Sequence, residues 1–355
     1  MDGGRGARRV WQPPAVSLLD ERLSAQLLAG PPAEEPVAVA ERLLAIQAQD
    51  GRGARLAVRA RSTGLSVADV DRALTYERSL VVTWLNRATL HMVRSEDYPW
   101  LHALSAPRLR TANARRLGQE GVPPGAAERG VAAIGDALTE EGPLDRDVLR
   151  ERVAAAGVRT QGQAFVHLLA LASMRGLIVR GPIVHGKHAF VLVRDWLGEA
   201  TRVDADRALA ELARRYLAGH GPAEAGDLAR WSGLPLRDAR AGLNAIAPEL
   251  RRREGDLVDL KRRGSAAPVP EARLLGAFEP VLLGWRSRRL LLGDHEPRVV
   301  SGGVFRPFVL LRGHAAGTWT ISGQQVGLKP FGRLSPADRG ALEAEASDVA
   351  RFLEG

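Results

Sequence analysis

The chain has 355 residues, 45% of them hydrophobic, which is enough for two or three domains with buried cores. Lys and Arg total 50 against 41 Asp and Glu, and only Lys187, Lys261 and Lys329 are lysines, so the net charge of +9 is carried by arginine, a side chain suited to bidentate phosphate contacts on a polyanion. The lack of cysteine excludes disulfides, thiolate zinc sites, iron–sulfur clusters and a cysteine nucleophile, and the 8 histidines show no His-Glu-x-x-His spacing, so neither metal nor other cofactor is expected.

The basic segment 1–14 leads into no apolar signal core, and no eighteen apolar residues run together, so a cytoplasmic protein without a membrane span is expected. A helix is predicted over 17–30, where Leu18, Leu19, Leu23, Leu27 and Leu28 follow helical spacing behind an N-cap at Ser17, and Pro31-Pro32 stops it. A second helix over 36–46 gives way to Gln47-Ala48-Gln49-Asp50. Glu41, on that helix, reads as a solvated side chain. On a helix the two glutamines diverge; in extended chain they share a face, with Cα atoms about 6.5–7 Å apart, and hold one water or polar ligand between them. Glutamine takes no proton at neutral pH, so chemistry at this pair rests on water positioning and dipolar stabilisation and requires a leaving group that is already activated. The same tripeptide also reads as a helix C-terminus with solvated amides.

Arg52, Arg55, Arg59 and Arg61 then form the best local phosphate-contact cluster, with an exposed helix face as the alternative. A capping box at Ser66 and Asp69 opens a further helix, and residues 79–93 read as two strands broken at Asn86-Arg87. Short helices followed by a β ribbon are the order of a winged helix. His91, inside that ribbon, reads either as a residue reaching the glutamines across the sheet or as a hydrogen-bonded structural histidine. The same order recurs with helices over 99–117, 126–139, 145–156 and 161–175 before strands at 177–180 and 188–193. It recurs again with helices over 207–218, 222–232 and 236–246 before a small wing at 250–261. A linker at 262–268 leads to short strands over 272–275, 281–283, 290–292, 299–300, 304–311 and 317–321, a small sheet or barrel, closed by a helix over 335–353. A hairpin centred on Arg312-Gly313-His314, with Gly313 supplying the positive φ of a tight turn, either probes a DNA groove or is simply solvated.

Several blocks, in one order from about residue 15 to 330, resemble the AlkZ-like family of bacterial winged-helix DNA glycosylases. They are Ile46-Gln47-Ala48-Gln49-Asp50, Arg87-Ala88-Thr89-Leu90-His91-Met92-Val93, Arg175-Gly176-Leu177-Ile178-Val179-Arg180, Arg230-Trp231-Ser232-Gly233-Leu234, Phe278-Glu279-Pro280-Val281-Leu282-Leu283-Gly284-Trp285-Arg286 and Gly303-Val304-Phe305-Arg306-Pro307. The resemblance implies an α+β protein of three tandem winged-helix domains (15–96, 97–200 and 201–263) and a small β-barrel-like domain (264–355), around a concave basic DNA channel. It implies a monofunctional glycosylase, a monomer without cofactor at the nucleoid, acting on double-stranded DNA that contains bulky cationic N7-alkylguanine or N3-alkyladenine. Gln47 and Gln49 would be catalytic and Thr89 and His91 substrate-orienting, while Arg52, Arg55, Arg59, Arg286, Arg306, Arg312, Gly313 and His314 would contact DNA. The second glutamine places the chain with the Gln-x-Gln branch, associated with self-resistance to DNA-alkylating antibiotics and with crosslink unhooking. A non-catalytic winged-helix binding or regulatory protein is the competing reading, and a scaffold for damaged DNA a third.

Overall fold

The computed structural model describes residues 17–184, 186–199, 203–323 and 325–355; the basic tail expected over 1–14 lies outside them. Ser17 and Asp20 form a reciprocal capping box on α1 (Leu18–Ala25). Helix α2 (Pro36–Leu43) starts on a proline whose missing N–H would have no partner there. It stops at Leu43, short of the expected 46, because Leu44 turns to φ 64° and ψ −43° and the Ala45 N–H donates to Leu43 O at 2.8 Å. This is a γ-turn of the rare, strained hand. Strand β1 (Ile46–Gln47), α3 (Gly51–Arg59), α4 (Val67–Thr75), β2 (Leu80–Leu85) and β3 (Thr89–Arg94) complete the first unit.

Helices α5 (Tyr98–Gln119), α6 (Pro124–Glu141), α7 (Arg146–Ala155) and α8 (Ala164–Met174) precede β4 (Ile178–Val184), β5 (Lys187–Leu192) and the short α9 (Val193–Leu197). A third set, α10 (Ala205–His220), α11 (Ala225–Ser232) and α12 (Leu236–Ala245), precedes a ribbon of β6 (Leu250–Arg252) and β7 (Val258–Leu260). The ribbons of the first two sets are not separate. They fuse into one antiparallel sheet of order β1-β3-β2-β4-β5, joined where Val82 meets Arg180. Every residue of β2 is buried, since Val82 and Trp84 face a core shared with α5 to α8 while Val81 and Leu85 face a second core shared with α1 and α10 to α12. A sheet covered on both faces reads as the continuous apolar run Leu80-Val81-Val82-Thr83-Trp84-Leu85 rather than as an alternation.

The last part contains β8 (Ala272–Leu275), helical turns α13 (Arg289–Leu292) and α14 (Glu296–Val299), and a small ribbon of β9 (Val300–Ser301) and β10 (Val304–Phe305). Strands β11 (Phe308–Leu311), β12 (His314–Ser322) and β13 (Gln325–Pro330) and helix α15 (Pro336–Glu354) follow. Its sheet, β13-β12-β11-β8, is open, which corrects the barrel expected from sequence. Two of the strands expected there are helical turns: Pro280 starts a 3-10 turn over Pro280–Leu282, and Leu290-Leu291-Leu292 coil as α13. Short apolar runs carry no period that separates strand from helix. With four strands the sheet cannot enclose a filled interior of the kind about eight strands make, and α15 packs beside β8 instead. No described helix is long and apolar enough to cross a membrane.

Candidate active site

The glutamine pair is framed on both sides. Upstream, the γ-turn at fully buried Leu44 throws the chain out of α2 into β1, a strain of about 1–3 kcal/mol held by the core around it. Downstream, Asp50 caps α3 by accepting from the Gly53 N–H. Gly53 is required here, because a Cβ at this position would sit 2.3 Å from the Ala277 carbonyl oxygen, so α3 and the segment after β8 touch backbone to backbone.

Between these fixed points Gln47 pairs across the ladder with His91, and the Ala48 N–H donates to Leu90 O at 2.7 Å. The strand then leaves the sheet, and the Gln49 side chain takes over: its Oε1 accepts from the Leu90 N–H at 2.9 Å. Gln47 is 6% exposed, and its Oε1 accepts from Arg87 Nη2 at 3.2 Å. Both partners are obligate donors, so the amide orientation is settled: oxygens face the protein framework, and the –NH₂ groups face away. Each oxygen keeps one further lone pair. Strand β1 ends at Gln47 and Gln49 lies in the bend before α3, so the tripeptide is not a helix C-terminus.

Arg87 was legible only as part of a motif, yet it organises the site. It sits at φ 56° beside Ala88 at φ 60°, and Thr89 N–H bonds back to Asn86 O, which makes the β2–β3 connection a type I′ turn without the usual glycine. Its guanidinium bonds Trp231 O on α11 as well as Gln47. Burial, and then the nearby cations of Arg230 and Arg288, lower its pKa to about 10, so it stays protonated at neutral pH. His91 is 2% exposed, and burial followed by the Arg87 charge pulls its pKa to about 3. The ring is therefore neutral, and Nδ1–H donates to Thr89 O at 3.0 Å. The Thr89 hydroxyl is itself spent on Asn86 O at 3.1 Å. His91 and Thr89 thus brace the turn that presents Arg87.

Gln49 is exposed and lines a cavity of about 530 Å³ between α5 and α8. Trp84, Val166, Ala170 and Met174 give its walls, Asn113 and His167 its polar end, and Arg115 and Arg116 its rim. Arg115, Arg116 and Arg230 are exposed and make no ion pair among the described residues, a property no local sequence signal announces.

The arginines expected to contact phosphate fare differently. Arg52 is exposed and without an ion-pair partner among the described residues. Arg55 is held by Asp71 at 2.5 Å. Arg59 is buried, with Glu345 and Asp348 each at 2.9 Å and Leu274 O at 2.7 Å. Arg61 is fully buried against Glu279 at 2.5 Å and Gln26 O at 2.7 Å. The expectation that these three meet DNA is corrected, since α3 turns their face inward against α4, α15 and the segment after β8. Arg286 is bound to Glu224 and lies 3.6 Å from Asp227, beside the acidic side chains of Glu254 and Asp256, surroundings that disfavour phosphate. Arg306 is exposed, its guanidinium lies 3.4 Å from the Arg298 carbonyl, and it makes no ion pair among the described residues. The Arg312-Gly313 hairpin forms as expected, with φ 47° and 83°, but it does not project: Arg312 pairs with Asp338 at 2.7 Å, and a Cβ on Gly313 would lie 2.9 Å from Leu23. That arginine and the Ser335 cap hold the Asp338 carboxyl at about 2. His314 is exposed on the wall of a second, larger cavity shared with Arg286.

A family model described as DNA glycosylase AlkZ-like matches residues 40–352. An interstrand DNA cross-link repair glycosylase from Streptomyces sahachiroi is 28% identical over 341 residues, covering 88% of this chain and 89% of that protein. The solved structure of Streptomyces sahachiroi DNA glycosylase AlkZ superposes with a TM-score of 0.73 at 25% identity, over 94% of this chain and 95% of the other.

Proposed function

Because this chain belongs to the AlkZ-like DNA glycosylases, enzymes acting on N-glycosyl bonds, we propose that it hydrolyses bulky, cationic N7-alkylguanine or N3-alkyladenine from duplex DNA at Gln47 and Gln49. The observation that carries this reading is the arrangement of the two amides: both are fixed by obligate donors, and the nearest imidazole, His91, is held neutral. Such a site orients water and stabilises charge but supplies no acid. An alkylated purine needs none, because its positive charge already weakens the bond from C1′ to the base. As that bond breaks, its electron pair neutralises the purine, and charge develops at the sugar. The remaining lone pairs of Gln47 and Gln49 accept from a water that bonds to C1′ and releases one proton to solvent, leaving an abasic site.

We read the three helix-and-ribbon sets as tandem winged helices lining a basic channel, with the domain limits given above, and the enzyme as a cytoplasmic monomer at the nucleoid. Arg52, Arg115, Arg116, Arg230 and Arg306 are its phosphate contacts, because they are exposed and uncommitted. The relative from Streptomyces sahachiroi is a cross-link repair glycosylase, which supports crosslink unhooking here too; self-resistance to an alkylating antibiotic rests on the resemblance to the Gln-x-Gln branch. The test is single-turnover release of N7-methylguanine from a duplex, followed by alkali cleavage of the abasic site. Wild type should cut, while Gln47→Ala/Gln49→Ala should bind with similar affinity and not cut. Binding without base release by wild type across small, bulky and crosslinked lesions refutes the reading.

A further inference from the structure

Beyond excision itself, and resting on that reading, we propose that the cavity between α5 and α8 receives the substituent carried by the damaged purine, an aromatic or apolar group bearing a hydrogen-bond donor. Its position is the first reason. Gln49 lines it, so a group attached to a base whose C1′ lies at the glutamines has only a short distance to span. Its volume, about 530 Å³, falls within the ~300–1,000 Å³ of small-molecule sites, whereas a methyl substituent would leave nearly all of it empty.

The lining discriminates further. Trp84, Val166, Ala170 and Met174 offer contact area without directional demands. Asn113, 5% exposed, donates from Nδ2 to His167 O at 2.9 Å, so its Oδ1 faces His167 Nδ1 at 2.9 Å as an acceptor. That fixes the proton on Nδ1 and leaves Nε2 as a lone pair; burial lowers the pKa of this ring, which keeps it neutral. Within the apolar walls the cavity thus offers the His167 Nε2 acceptor, with the amides of Gln49 and Gln119 and the guanidinium groups of Arg115 and Arg116 as its remaining polar lining. An aromatic group with one hydroxyl would donate to that Nε2 and leave no polar atom of its own buried without a partner, an omission that would cost about 1–3 kcal/mol. Arg115 and Arg116 at the rim suit the phosphates flanking such a lesion.

The test compares two lesions in one duplex sequence: N7-methylguanine and guanine alkylated at N7 by styrene oxide, which adds a phenyl ring and a hydroxyl. Ala112 lines the cavity from an exposed position on α5, so Ala112→Trp fills it without overpacking the core; Val166→Phe fills it from α8. Both variants should lower the ratio of single-turnover rates, bulky over methyl, by at least about tenfold (1.4 kcal/mol). Equal loss on both lesions, or no change in the ratio, overturns the proposal. Should wild type release neither base, the excision reading has failed on its own, and competition binding of the two duplexes still decides the cavity. A wild-type preference for the bulky lesion that Ala112→Trp abolishes supports it, and a preference that persists, or is absent from the start, overturns it.

Discussion

The arginines behind the glutamines and those in front of them are the same side chain in opposite employment. Behind, on and just after α3, Arg55 is matched to Asp71 on α4, and Arg59 and Arg61 are matched to Glu345, Asp348 and Glu279 and hold the first unit against the last. In front, Arg115, Arg116 and Arg230 have no ion-pair partner among the described residues; the first two line the cavity, and Arg230 lies near the Arg87 guanidinium. The difference teaches that a net charge of +9 is not a map of a DNA surface. Charge that is paired inward sets geometry, and only charge left unpaired at the surface contributes to polyanion binding.

The comparison breaks most visibly at Arg61. Arg61→Met strands the buried Glu279 carboxylate and should cost about 3–5 kcal/mol in denaturant unfolding, while Arg61→Met/Glu279→Leu should recover most of it. If the single variant is as stable as wild type, the inward pairs are not the frame. Next comes Gln47→Ala alone, which should slow single-turnover release by about 10²–10³-fold with affinity for lesion DNA nearly unchanged. Arg87→Met removes the donor that orients Gln47 and should slow the chemical step by up to about 10²-fold, again with little change in affinity; a loss in affinity alone would move Arg87 from positioning to binding. Acid should loosen the frame before the rim. His91 and His220 have pKa values near 3 when folded and ordinary ones when unfolded, so the unfolded chain takes up protons that the folded one does not. Stability from each is complete above about pH 6.5 and is lost as pH falls toward 3, about 2 kcal/mol per histidine by pH 5, and His91→Gln should flatten that slope in denaturation series. The smallest effect lies at the rim: Arg115→Ala should leave unfolding unchanged and reduce the salt dependence of DNA binding by about 0.9 in log–log slope. Arg55→Ala should do the reverse.

Much of the frame was legible because its signals are local. Ser17 and Ser66 cap helices where a short polar side chain precedes an apolar-periodic segment, and the β2 and β3 segments announce themselves by composition. What escaped was conformation without a residue signature and pairing without sequence proximity. Leu44, Arg87 and Ala88 take positive φ with no glycine or asparagine to mark them. The partners of Arg59 lie at 345 and 348, so its spacing on α3 looked like that of a solvated face. The glutamine motif was readable in the sequence, but the cavity beside Gln49 was not, since Asn113 and His167 meet only when α5 packs on α8.

The bond between Arg59 and α15 has a consequence for the order of assembly. The strand that bears the glutamines belongs to the first 50 residues, yet the helix behind it is clamped by side chains near the far end of the sequence. During synthesis the early segment therefore waits, with its arginines uncompensated, until α15 has left the ribosome. Contacts of such long sequence separation form late, so the segment that carries Gln47 and Gln49 is braced from behind only once Glu345 and Asp348 have reached Arg59.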